Sequence, residues 1–124
     1  MRKLLTPYRF SPEVIRAVVE HGRVGTYILG NDEGGFVGYY AGRSDHCLRT
    51  RLTSHNHLYG FDYFVFQYAK DEKEAFRQEC ELYHLLLGAG VAVTNQIHPA
   101  SPAGSALTCP YCSFREHIST LLAA

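Results

Sequence analysis

A chain of 124 residues is long enough for one domain with a modest core and too short for two independent ones, and a composition 46% hydrophobic, 13% aromatic and 19% charged excludes a disordered or fibrous protein. Twelve basic and twelve acidic side chains cancel, so net charge lends no support to a nucleic-acid partner. No apolar run approaches membrane-spanning length and "MRKLLTPYRF" lacks the apolar stretch of a secretory signal, so the expectation is a cytoplasmic protein with no membrane partner and four reduced cysteines.

In chain order, "SPEVIRAVVEHG" predicts a helix over 11–22, with Ser11 as N-cap, Pro12 at the first helical position, Glu13 in the first turn and Gly22 as the stop. "VGTYILG" reads as a strand, and "NDEGG" supplies the turn that returns the chain antiparallel into a second strand, "FVGYYAG". Ser44 or Asp45 can cap a helix running to about residue 56. "FDYFVFQYA" is aromatic and β-branched enough for an interior strand, and "DEKEAFRQECELYHLLLGAG" predicts a long helix opened by acids and closed by glycines. "VAVTNQIHPASPAGSALTCPYC" is mostly irregular, and "SFREHISTLLAA" closes the chain as a short helix. The order predicts an α+β fold: a small three-stranded antiparallel sheet flanked by helices. An N-terminal helical extension covers 1–22, the main domain 23–97, and a tail over 98–124 packs on that same domain.

Local charge is less even than the total. Arg43, Arg49 and Arg51 with His46, His55 and His57 face the single carboxylate of Asp45, while many acids collect in 71–81. A phosphate partner would meet one basic patch; the alternative is an ordinary mixed surface.

Helical geometry sharpens the picture. With Cys47 at 0° and about 100° per residue, Leu48 and Leu52 fall at about 100° and 140°, with Arg51 at about 40° and His55 at about 80° inside the same arc. Arg49, at about 200°, lies on the outward side. In the long helix, with Ala75 at 0°, Phe76, Leu82, Tyr83 and Leu86 span roughly −20° to 100°, and Glu79 falls at about 40° among them. Charges so placed are paired, metal-bound or at the mouth of a cleft. A structural Arg51–Glu79 salt bridge joining two helices is the alternative to a chemical role.

"GTY" (Gly25, Thr26, Tyr27) on one strand and "YAG" (Tyr40, Ala41, Gly42) on the next resemble the paired strand motifs of the GIY-YIG nuclease superfamily. In "LRTRLTSH", Leu48, Arg51, Leu52 and His55 are similar to the helix pattern of that family, and in "EAFRQECEL", Ala75 and Glu79 are similar to its metal-binding helix. The likeness covers about residues 24 to 95. Thr26 stands where an apolar residue is usual, Ala41 is smaller than usual, and one extra residue lies between Gly42 and Leu48.

The resemblance implies a metal-dependent DNA endonuclease. Tyr27 would activate the attacking water, aided by a nearby cation, and Tyr40 would orient water or substrate. Arg51 would stabilise the phosphate, and His55 would relay a proton or bond a phosphate oxygen. Glu79 would hold Mg²⁺ or Mn²⁺. Arg43, Arg49 and Asn95 are candidate DNA contacts. Without the resemblance, Tyr27 and Tyr40 read as sheet packing, His55 as a structural histidine and Asn95 as a turn residue. The runner-up is a non-catalytic nucleic-acid or protein binding module on the same scaffold. Specificity would rest on DNA shape, a homodimer or a partner protein. In "CPYC", Cys109 and Cys112 have the spacing of half a structural Zn²⁺ site, which His117 or His98 could supplement; two free thiols are the alternative.

Overall fold

The structure, a computed structural model, describes residues 6–55, 60–88 and 102. The described residues form β1 (Tyr8–Arg9), α1 (Pro12–Val18), β2 (Gly25–Asp32), β3 (Phe36–Ser44), α2 (Leu48–His55), β4 (Tyr63–Tyr68) and α3 (Glu72–Gly88). The architecture is α+β, and the sheet is antiparallel in the order β1-β4-β2-β3.

That sheet has four strands where three were expected. The added strand is "YR", whose Tyr8 and Arg9 pair with Phe64 and Tyr63 of β4. Two residues are too few to show the alternation by which a strand is recognised in sequence. The consequence is that β4 lies in the interior of the sheet, as its aromatic content suggested, and β3 is left at an edge.

The hairpin forms as its turn residues dictate. Gly34 (φ 84°) and Gly35 (φ 136°) take backbone angles open mainly to glycine, and Asp32 Oδ1 accepts the Gly35 N–H at 3.0 Å. Helix α1 begins as predicted, with Ser11 Oγ accepting the Val14 N–H at 3.3 Å. It ends at Val18, short of Gly22, because Val19 turns extended. The exposed carbonyls there find a donor in Arg49, whose guanidinium bonds the Val19 and Arg16 oxygens at 2.8 and 3.1 Å. Helix α2 starts at Leu48, after Ser44 Oγ has accepted the Cys47 N–H at 3.0 Å.

Cross-strand partners share a face of the sheet. Tyr27 pairs with Gly42 and Phe66, and Leu29 with Tyr40 and Phe64. On that face Tyr27, Leu29 and Phe64 pack with Ile15 and Val19 near α1 and with Leu48 and Leu52 of α2 as one apolar core. The alternate residues Thr26, Ile28, Ala41 and Arg43 face α3, which buries Ala75, Phe76 and Cys80. The tail beyond residue 88, including the expected closing helix, lies outside the described residues apart from the buried Pro102. Among the described residues no helix is long and apolar enough to cross a membrane.

Thr26 joins β2 to α3. It is fully buried, and its hydroxyl donates to Gln78 Oε1 at 2.9 Å, so a polar residue at this position has a partner. Replacing Thr26 by Val keeps the shape and removes the donor. Thr26→Val is expected to cost about 1 kcal/mol in urea unfolding, the net worth of one such hydrogen bond.

Candidate functional site

The edge position of β3 decides where a site can form. At its C-terminal end, helix α2 approaches from one face of the sheet and α3 from the other. Between them lies a hollow of about 240 Å³, lined by Tyr40, Gly42, Arg43, Asp45, Arg51 and Glu79. Its wall is polar and its formal charges balance: Arg43 and Arg51 against Asp45 and Glu79.

Arg43 organises the hollow. Strand alternation turns it toward α3, where Nη1 donates to Glu79 Oε1 at 2.7 Å while Nε donates to Asp45 Oδ1 at 2.9 Å. Its guanidinium also stands over the Phe76 ring, 5.3 Å from the centroid. The Arg43 and Glu79 side chains are 13% and 10% exposed, so the pair is nearly withdrawn from solvent. Burial works against the Arg43 charge, but hydrogen bonds and attraction from Asp45 and Glu79 outweigh it and raise its pKa. For Glu79 burial prevails: it lifts the carboxyl above its ordinary value, with Arg43, and more weakly Arg51, pulling the other way.

Of the residues singled out from sequence, Tyr40, Arg43, Arg51 and Glu79 meet at this hollow. Glu79 is buried, as its position in the apolar arc required. Arg43 of the sheet is a close cationic partner that the helix geometry did not point to, and Arg51, the one it did, borders the same hollow and acts on the Glu79 charge more weakly than Arg43. Arg51 itself is exposed: α2 sends Leu48 and Leu52 into the core, and Arg51 falls on the shoulder of that face, bordering the hollow.

Tyr27 lies one layer further in. It is 1% exposed, and its ring is 6.3 Å from that of Tyr40 at an interplanar angle of 25°. A Cβ built on Gly42 would fall 2.5 Å from the Tyr27 hydroxyl oxygen. Gly42 therefore leaves room for the phenol on one side and lines the hollow on the other. Arg49 is directed to α1 rather than to the hollow. The His55 side chain, Asn95, Cys109 and Cys112, like His98 and His117, lie outside the described residues.

Sequence reasoning missed Asp45, which was weighed only as a helix cap and a lone acid in a basic segment. The available signal was its spacing: two residues beyond Arg43, at the end of a strand, its side chain can fold back to that arginine.

Among the described residues no group of three or more His, Cys, Asp or Glu side chains could hold a metal ion. Two carboxylates do line the hollow, Glu79 and Asp45. Hard oxygen donors in that number suit Mg²⁺, which keeps several waters and completes its shell with phosphate oxygens. Such an ion would meet Arg43 already bonded to Glu79 Oε1.

No family model, curated protein or solved structure matches this chain.

The raised pKa of Glu79 gives stability a definite pH dependence. Between the ordinary value of 4.5 and its own raised pKa, the folded chain holds a proton that the unfolded chain has released. This contribution is complete below the lower value and disappears as pH rises through the upper one. The stability of wild type minus that of Glu79→Gln should therefore fall as pH is raised across that window, measured by urea unfolding at steps between about pH 4 and pH 8.

Proposed function

We propose that this chain is a metal-dependent endonuclease of the GIY-YIG type that hydrolyses DNA phosphodiester bonds at the hollow on the β3 edge. One observation carries the reading. Tyr40, Arg43, Arg51 and Glu79 come from one strand and two helices on opposite faces of the sheet, yet border a single polar hollow. Three of the four were chosen from sequence as catalytic residues and the fourth as a substrate contact.

Phosphodiester hydrolysis needs charge stabilisation at the phosphoryl oxygens, an activated water and help for the leaving oxygen. Arg51, exposed at the rim, carries a planar guanidinium of the kind that suits bidentate contact with a phosphate. Glu79, with Asp45 beside it, would hold Mg²⁺ at the floor. A bound Mg²⁺ supplies Lewis acidity and lowers the pKa of water. The balance of charge in the hollow fits this requirement, because with two guanidinium groups matched by two carboxylates, a polyanion gains little there unless a further cation is present.

The two tyrosines take unequal parts. Tyr40 borders the hollow and is placed to orient water or substrate. Tyr27, named from the family likeness as the group that activates water, packs against Gly42 and Tyr40, both of which line the hollow. Its buried position suits proton transfer through a water seated against Gly42 or a relay through the neighbouring phenol.

The binding-module reading keeps one specific observation in its favour, the engagement of Arg43 and Glu79 with each other. Both readings expect salt-sensitive DNA affinity, so cleavage separates them. With single-stranded, duplex and branched DNA in Mg²⁺ or Mn²⁺, wild type should cleave at least one substrate. Arg51→Ala should lower that rate on the order of 10²- to 10³-fold while the circular dichroism spectrum stays unchanged. Glu79→Gln should abolish it. A wild-type protein inert on all three would leave the binding module as the better account.

A further inference from the structure

Arg43 holds more partners than a DNA contact requires. Its guanidinium bonds Glu79 at 2.7 Å and Asp45 at 2.9 Å, and rests over Phe76 at 5.3 Å. Both carboxylates line the hollow, and their shared arginine occupies the place between them that a cation from solution would seek. One acceptor oxygen, Glu79 Oε1, is where the two would collide. An arginine and a divalent ion cannot both sit close to that oxygen without strong repulsion between like charges.

We propose that Arg43 is the resident cation of the hollow, which a divalent metal ion must displace from Glu79, and that an incoming phosphodiester makes the exchange favourable by giving the guanidinium a new anionic partner. The inference deepens the nuclease reading and rests on it for its biological sense. Its physical content is independent: Arg43 and the metal ion compete, whereas phosphate and the metal ion assist each other. Such coupling confines a loaded site to the substrate complex, because the free protein keeps its carboxylates neutralised from within. Arg43 would be a positioning residue, moving from Glu79 to the phosphate, and Asp45 its second anchor.

Competition is read from metal binding, without DNA and without turnover. Mn²⁺ is titrated into the full-length protein and the free ion followed by electron paramagnetic resonance. Arg43→Gln, which keeps a hydrogen-bonding group and loses the charge, should bind Mn²⁺ on the order of tenfold more tightly than wild type, within the usual range for coupled sites. Adding Glu79→Gln to that variant should erase the gain, which assigns it to the hollow. Thermal unfolding gives a second readout: Mn²⁺ should raise the midpoint of Arg43→Gln more than that of wild type. If Arg43→Gln does not fold, Arg43→Lys carries the test, since a compact ammonium cannot span both carboxylates as the guanidinium does, and a severalfold gain is expected. Unchanged or weaker Mn²⁺ binding by a folded Arg43 variant overturns the proposal. Because no cleavage is read, an inert wild type would remove the nuclease reading and leave this result standing, and the reverse holds equally.

Discussion

The contact between Arg43 and Glu79 fixes the relation between the sheet edge and the long helix, and the hollow exists because of it. Arg43 is near the end of an edge strand, and Glu79 stands among apolar neighbours on α3. Neither charge is tolerable alone at such low exposure. Together, with Asp45 taking the second donor face of the guanidinium, they set how α3 lies across β3. A pair of this kind contributes little net stability compared with an apolar contact of equal volume, but breaking one half leaves a buried charge unanswered. Its effect is to specify position. That position brings Glu79 to the hollow that Arg51 reaches from α2 on the opposite face.

The other face of β3 is governed by space. Tyr27 lies across the sheet from Gly42, and only a glycine there leaves room for the phenol. Gly25 obeys the same logic, since a Cβ would fall 2.3 Å from the Gln67 carbonyl oxygen. Two glycines of the paired strand motifs thus follow from close packing, and the tyrosine that Gly42 admits belongs to the core, behind a glycine that lines the hollow. The packing role of Tyr27 would not conflict with the chemical role proposed for it, since a glycine at 42 leaves room for the phenol in either case.

Much of this was legible in sequence. The turn glycines, the Ser11 cap and the interior aromatic strand each carry a local physical cause, and each formed as that cause required. Glu79 was found by helical periodicity, because a carboxylate in an apolar arc signals a partner. That Arg43 is such a partner was not legible. Periodicity assigns a residue to a face of its own helix, whereas the pairing of Arg43 with Glu79 depends on strand register and on the crossing of α3 over the sheet, which are tertiary. Arg49 escaped for a similar reason: an outward arginine looks solvated until the end of another helix is placed beneath it. The two-residue β1 offered no periodic signal at all.

The claim on which the rest depends is that Arg43 and Glu79 act as one coupled unit. A double-mutant cycle with Arg43→Met, Glu79→Leu and the pair together, read by urea unfolding near neutral pH, measures that coupling most directly. The account predicts an interaction free energy of about 1–3 kcal/mol, the double variant being far less destabilised than the sum of the single ones. Additive effects, within about 0.3 kcal/mol, would mean that the two side chains are independent and that something else positions α3 on the sheet edge.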